Sequence, residues 1–69
     1  MNIIYSDHAT LRMKQRGITS LEIEQVLEFP VYIKKSFEGR KIAFGIVRNC
    51  NIKVSFKEEE SYIKIITIM

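Results

Sequence analysis

The first quarter of the chain has residue types and terminal signals that are typical of an α-helix. No Pro or Gly occurs between Asp7 and Arg16, and most residues of this segment are good helix formers. Ser6 precedes the segment as a favourable N-cap residue. Gly17 follows it at the position where a left-handed residue commonly ends a helix. The pattern predicts a first helix over residues 7–16.

A second helix is predicted by stronger start signals. Thr19 and Glu22 have the spacing of a capping box, in which each side chain accepts a hydrogen bond from the backbone N–H of the other residue. Ile18 and Ile23 have the spacing of a hydrophobic staple, and Pro30 ends the helical pattern. The apolar residues between these signals form one stripe, so this helix is expected to pack on another layer.

The second half of the chain alternates between apolar and polar residues with the two-residue period of β-strands. Four strands are predicted, at residues 31–36, 40–48, 52–57 and 62–69. The connections between them are a turn at Glu38-Gly39, a turn at 49–51 and a polar loop at 58–61. Connections this short favour an antiparallel meander.

Together these elements predict a single α+β domain over residues 1–69. Two N-terminal helices pack on one face of a four-stranded antiparallel sheet, and residues 2–5 form an optional short N-terminal strand. Alternation predicts that the covered face carries Ile42, Phe44, Ile46, Ile52, Val54 and Phe56. The uncovered face is then expected to carry Lys41, Lys53, Ser55 and Lys57.

Charge is distributed unevenly along the chain. The formal net charge is +3. The excess of basic residues lies in residues 31–69, which hold eight Lys and Arg residues against four Glu. A basic sheet face can follow a nucleic-acid backbone, which makes Lys41, Lys53 and Lys57 candidate nucleic-acid-binding residues. The alternative interpretation is that these lysines form a solvent-exposed sheet surface that binds no ligand.

Length and residue types exclude several classes of site. A chain of 69 residues buries only about 60 per cent of its unfolded surface, so a large enclosed cavity is not expected. A single cysteine, Cys50, can neither close an intrachain disulfide nor form a zinc site, which favours a reducing, cytoplasmic location. No signal-peptide or bilayer-spanning segment, paired carboxylates or glycine-rich phosphate loop is present, so no membrane, metal or cofactor is expected.

His8, Arg12 and Arg16 are spaced four residues apart on the predicted first helix and form one longitudinal stripe. No acidic residue of the same stripe relieves the like charges. One interpretation is an ion network with carboxylates of the second helix or of the 58–60 loop. The other is an anion site, in which guanidinium groups bind a phosphate and a neutral imidazole transfers protons.

The run HATLRMKQRGITSLEIEQVL over residues 8–27 resembles the small bacterial domain-of-unknown-function family 4258, whose pattern is HA-x2-R-x3-RGI. Phe29-Pro30, Gly39-Arg40 and the IITI at 65–68 add to the resemblance. The resemblance implies a likeness to RelE-like and BrnT-like toxins, which are metal-independent ribonucleases with helices packed on an antiparallel sheet. Carried onto this chain, the polar positions of the family are His8, Arg12, Arg16, Arg40 and Thr67.

We therefore expect a toxin-like endoribonuclease that needs no metal or cofactor. The RNA 2′-hydroxyl would attack the adjacent phosphate, with His8 as the proton-transfer group and Thr67 orienting a phosphate oxygen or a water. Arg12, Arg16 and Arg40 would bind the phosphate and stabilise the transition state. The alternative is a non-catalytic nucleic-acid- or protein-binding module. Candidate partners are RNA, an antitoxin or other acidic protein, and a second copy of the chain.

Overall fold

Two helices and five strands make up the computed structural model, which describes residues 2–69. In chain order they are β1 (Ile3–Tyr5), α1 (Asp7–Arg16), α2 (Ser20–Glu28), β2 (Tyr32–Lys35), β3 (Arg40–Val47), β4 (Cys50–Glu58) and β5 (Ile63–Ile68). A single 3₁₀ turn at Phe37–Gly39 joins β2 to β3. Neither helix is both long enough and apolar enough to cross a bilayer.

The strand order across the sheet is β1-β5-β4-β3-β2. The predicted antiparallel meander is confirmed for β2 to β5. The optional N-terminal strand is also formed, and it pairs parallel to β5. The sheet is therefore five-stranded and mixed, where a four-stranded antiparallel sheet was predicted. The parallel pair is possible because the two helices carry the chain from β1 back across the sheet.

Both helices begin at the predicted capping residues. The Ser6 hydroxyl accepts a hydrogen bond from the Ala9 backbone N–H at 3.0 Å. The Thr19 hydroxyl accepts from the Glu22 N–H at 3.3 Å, and the Glu22 carboxylate accepts from the Thr19 N–H at 3.0 Å. The latter bond holds the pKa of Glu22 below its usual value, because it stabilises the charged carboxylate. Gly17 ends α1 with a left-handed φ of 67°.

Ser6 also connects α1 to the C-terminal strand. Its hydroxyl donates a hydrogen bond to the Ile66 carbonyl at 2.6 Å, and its backbone N–H donates to the Ile65 carbonyl at 3.0 Å. Helix α1 accordingly packs on β5, while α2 packs mainly on β3. Both helices lie on one face of the sheet, as predicted.

Strand β3 presents the opposite face from the one that alternation predicted. Ala43 is fully buried, and Gly45 is buried against Val26 of α2. A Cβ atom added to Gly45 would lie only 3.0 Å from Val26 Cγ2. The backbone of β3 therefore approaches α2 closely at its small residues, and the larger side chains of this strand point to the other side of the sheet.

The face prediction is consequently half correct. Ile52, Val54 and Phe56 of β4 are buried under the helices, as predicted. Ile42, Phe44 and Ile46 lie opposite Ser55, Lys53 and Asn51 of β4, on the face away from the helices. Their prediction as core residues is wrong, because cross-strand partners share a face and β3 is turned by one residue.

The turn between β3 and β4 begins one residue earlier than predicted and is one residue shorter. Arg48 and Asn49 form a two-residue turn with φ values of 53° and 64°, as expected for a type I′ hairpin. Cys50 pairs with Val47 and begins β4. The thiol of Cys50 is free and exposed.

We expect Gly45→Ala to lower the free energy of unfolding by about 1–3 kcal/mol, because the new methyl group would overlap the Val26 side chain. In a Val26→Ala background the same change should cost much less, since the overlapping atoms are gone. Urea unfolding of the four proteins in this double-mutant cycle measures the coupling. An equal cost in both backgrounds would show that overlap with the Val26 side chain is not the cause of the destabilisation.

Candidate functional site

The sheet face that no helix covers, here called the open face, combines stacked aromatic rings with lysines. Tyr32 of β2 and Phe44 of β3 are cross-strand partners on this face. Their rings are stacked, with centroids 5.1 Å apart and planes inclined by 17°. Lys53 of β4 lies directly opposite Phe44, and Tyr32 remains 40% exposed. An accessible aromatic ring beside flexible cations is the combination that binds single-stranded nucleic acid.

Positive charge dominates the open face. By strand alternation and register its cations are Lys34, Arg40, Lys53, Lys57 and Lys64. Arg40 lies 3.8 Å from a Glu38 carboxylate oxygen and Lys57 lies 3.6 Å from one of Glu59, both at the rim. The other three lysines form no ion pair within residues 2–69. These lysines are therefore available to an external anion.

Glu58 is the only acidic residue within the strands of the described chain, and it lies on the helix side of the sheet. Its carboxylate accepts a hydrogen bond from Lys41 Nζ at 2.6 Å. Lys41 lies on the same face of β3 as Ala43 and Gly45, so the prediction that it shares a face with Lys53 and Lys57 is wrong. The cause is again the orientation of β3. Lys53 and Lys57 do lie on the open face.

The stripe on α1 is largely exposed and has no carboxylate partner among residues 2–69. His8 and Arg16 are exposed and Arg12 is half-buried. Within residues 2–69, none of the three forms an ion pair, so the ion network, which was one of the two interpretations of the stripe, is not formed there. Glu22, which was one possible partner, is occupied in the capping box.

Arg40 and Thr67 lie away from this stripe. Arg16 lines a small cavity of about 230 Å³ together with Ile52, near the start of β4. Arg40 pairs with Lys57, five residues further along β4, which is about 17 Å at the usual rise per residue. Thr67 pairs with Ser55, and its neighbour Ile68 is fully buried, so its side chain lies on the open face.

The five polar positions that the resemblance implied are therefore not gathered in one pocket. The sheet separates His8, Arg12 and Arg16 from Thr67, and the length of β4 separates Arg16 from Arg40. Within the described residues, no group of three or more His, Cys, Asp or Glu side chains could hold a metal ion. The structure therefore presents cations at two separate surfaces, the open face and the α1 stripe. The α1 stripe also carries the imidazole of His8.

Sequence reasoning missed three residues of the open face: Lys34, Phe44 and Lys64. A signal for Phe44 was present in the order of residue sizes along β3. Ala43 and Gly45 are small residues at alternating positions, as expected where a helix approaches a strand closely. If Ala43 and Gly45 face the helices, Phe44 lies on the open face beside Tyr32.

Comparison with known proteins identifies the family of the chain. The model of the family described as a domain of unknown function, DUF4258, matches residues 5–69. The match spans nearly the whole chain, so the chain belongs to this family. No curated protein and no solved structure shows significant similarity to it.

Proposed function

We propose that this DUF4258 member binds single-stranded RNA on the open face of its sheet. The observation that carries the proposal is the stacked Tyr32–Phe44 pair, which is bordered by Lys34 and Lys53, two lysines that have no carboxylate partner among residues 2–69. RNA is the nucleic acid that the family resemblance implies.

Each group on the open face has a distinct role in this proposal. A base stacks on the exposed side of the Tyr32 ring, while Phe44 supports the ring from behind. Lys34, two residues along the same face of β2, and Lys53, opposite Phe44, contact the phosphates on either side of that base. Lysines act as flexible point charges and stacking accepts any base, so binding is expected to be salt-dependent and weakly sequence-selective.

Lys53→Ala should weaken RNA binding and reduce its dependence on salt. Loss of one phosphate contact lowers the slope of log affinity against log salt by about 0.7 for a single strand. Fluorescence anisotropy with a labelled oligonucleotide at several salt concentrations measures the slope. Lys14→Ala is the matched control, because Lys14 is exposed on α1 and lies in the helix layer. Equal effects of the two substitutions would contradict binding on the open face.

Tyr32→Leu should weaken binding without changing the salt slope. Loss of one stacked base costs about 1–3 kcal/mol, which corresponds to roughly a 5-fold to 150-fold loss of affinity. Leucine retains apolar contact with Phe44, so the thermal midpoint should change little. Tyr62→Leu, in the loop before β5, removes a ring away from the Tyr32–Phe44 stack and serves as the control. Unchanged affinity of Tyr32→Leu would exclude a stacking role for this ring.

A second candidate function is RNA cleavage by the α1 stripe, as in the toxin-like ribonucleases that the resemblance implied. The observation that favours it is the alignment of His8, Arg12 and Arg16, which have no carboxylate partner in the described part of the chain. His8 would accept the proton of the 2′-hydroxyl as its oxygen bonds to the adjacent phosphorus. The bond from phosphorus to the 5′-oxygen breaks, which leaves a cyclic phosphate, and water protonates the departing 5′-oxygen. The guanidinium groups would stabilise the charge that develops on the phosphate. An acidic antitoxin would fit the same cationic stripe.

Cleavage and binding are separated by His8→Ala. If α1 carries the reaction, this variant should lose cleavage of single-stranded RNA in excess EDTA while its thermal midpoint is retained, because His8 is exposed. Lys14→Ala on the same helix is the control, since Lys14 is exposed and lies two residues from Arg12, on the opposite side of the helix from the stripe. Wild-type protein that binds RNA and leaves it intact would support the binding module and exclude the nuclease.

A further inference from the structure

Strand β2 forms an edge of the sheet and is exposed along its whole length. It pairs with β3 on one side, and no strand of residues 2–69 covers its other side. All four of its residues, Tyr32 to Lys35, are exposed. An edge strand of this kind offers unpaired backbone N–H and C=O groups to another strand.

The outward-facing backbone groups of β2 can be assigned from its pairing with β3. The Ser36 N–H donates to the Arg40 carbonyl at 2.8 Å, which makes Ser36 and Arg40 a hydrogen-bonded pair. Such pairs alternate with non-bonded pairs in an antiparallel ladder, so Tyr32 and Lys34 bond to β3. The N–H and C=O groups of Ile33 therefore point to the free edge.

The most exposed large apolar side chains of the described residues lie at the two ends of this strand. Phe37 is 84% exposed and Phe29 is 79% exposed. They are four residues after and four residues before Ile33, which is itself 49% exposed. The exposed apolar surface is thus arranged symmetrically about Ile33. Neither phenylalanine is in the core cluster or packed against it.

We propose that a second copy of the chain pairs antiparallel along β2, with a two-fold axis through Ile33. This register forms a hydrogen-bonded pair between the two Ile33 residues, whose backbone groups face outward. It places Tyr32 opposite Lys34 of the second copy, where a cation and an aromatic ring attract each other. It also brings Phe29 of each copy to the end of the strand where Phe37 of the other lies.

Neighbouring registers are less favourable. Because facing residues must share a side of the sheet, the axis can move only by a whole residue along β2. An axis through Lys34 would place two lysines directly opposite each other, which is destabilising. An axis through Tyr32 would remove the alignment of Phe29 with Phe37. An acidic peptide would be attracted to Lys34 and Lys35, but it would not require the symmetric pair of phenylalanines.

The proposed dimer has a continuous sheet of ten strands. Its two-fold axis is perpendicular to the sheet, so the open faces of both copies lie on the same side. Dimer formation is measured without RNA and does not depend on the proposed binding function.

Size-exclusion chromatography with light scattering over a range of protein concentrations tests the proposal. The wild-type protein should have the mass of two chains, and Ile33→Lys should have the mass of one chain, because it places like charges at the axis. Leu21→Lys is the matched control, since Leu21 is 65% exposed on α2 and should leave the dimer intact. Phe37→Ser is a second interface variant, and its high exposure makes unfolding of the chain unexpected.

Mixing Ile33→Lys with Ile33→Glu gives the decisive measurement. Each variant alone should be monomeric, and the mixture should form a heterodimer, because the opposite charges meet at the axis. Monomeric wild-type protein at every concentration would overturn the proposal, as would a dimer that persists in Ile33→Lys and Phe37→Ser. Binding of an acidic extended peptide to a monomeric wild-type protein would assign the β2 edge to a different partner and would also overturn it.

Discussion

The close contact between Gly45 and Val26 determines which surface this protein presents to its surroundings. Helix α2 can lie on β3 only where the strand has almost no side chain, since a Cβ atom at Gly45 would be 3.0 Å from Val26. This contact turns Ala43 and Gly45 toward the helices. Phe44, between them, then points outward and stacks on Tyr32. The aromatic and cationic character of the open face is therefore a consequence of how α2 packs.

A second set of contacts holds the α1 stripe on the other side of the sheet. The Ser6 hydroxyl accepts from the Ala9 N–H as the cap of α1 and donates to the Ile66 carbonyl of β5. Helix α1 therefore begins beside β5, in the layer that covers the sheet. Thr67 lies on the open face of the same strand. The polar residues of the α1 stripe and Thr67 of β5 therefore lie on opposite sides of the sheet.

This division separates the two proposed functions physically. The open face carries the aromatic stack and the lysines of the proposed RNA-binding site. The α1 stripe carries the imidazole and the two guanidinium groups of the proposed cleavage site. The β2 edge adds a third surface, whose exposed phenylalanines lie outside the core. Pairing along that edge would join the open faces of two copies without altering the α1 stripe. It would also place Lys34 of the second copy beside the exposed side of the Tyr32 ring, so dimer formation would compete with base stacking on that ring.

Local signals in the sequence determined the helices and most of the strands. The caps at Ser6 and Thr19 and the left-handed Gly17 act within a few residues of the chain, so their effects could be predicted. The α1 stripe follows from helical periodicity for the same reason. Only the tertiary structure decided the orientation of β3, because apolar residues occupy both of its alternating sets and period alone cannot choose between them. The relation of His8 to Arg40 and Thr67 depends on strand order and on the side of the sheet, which are set by long-range packing.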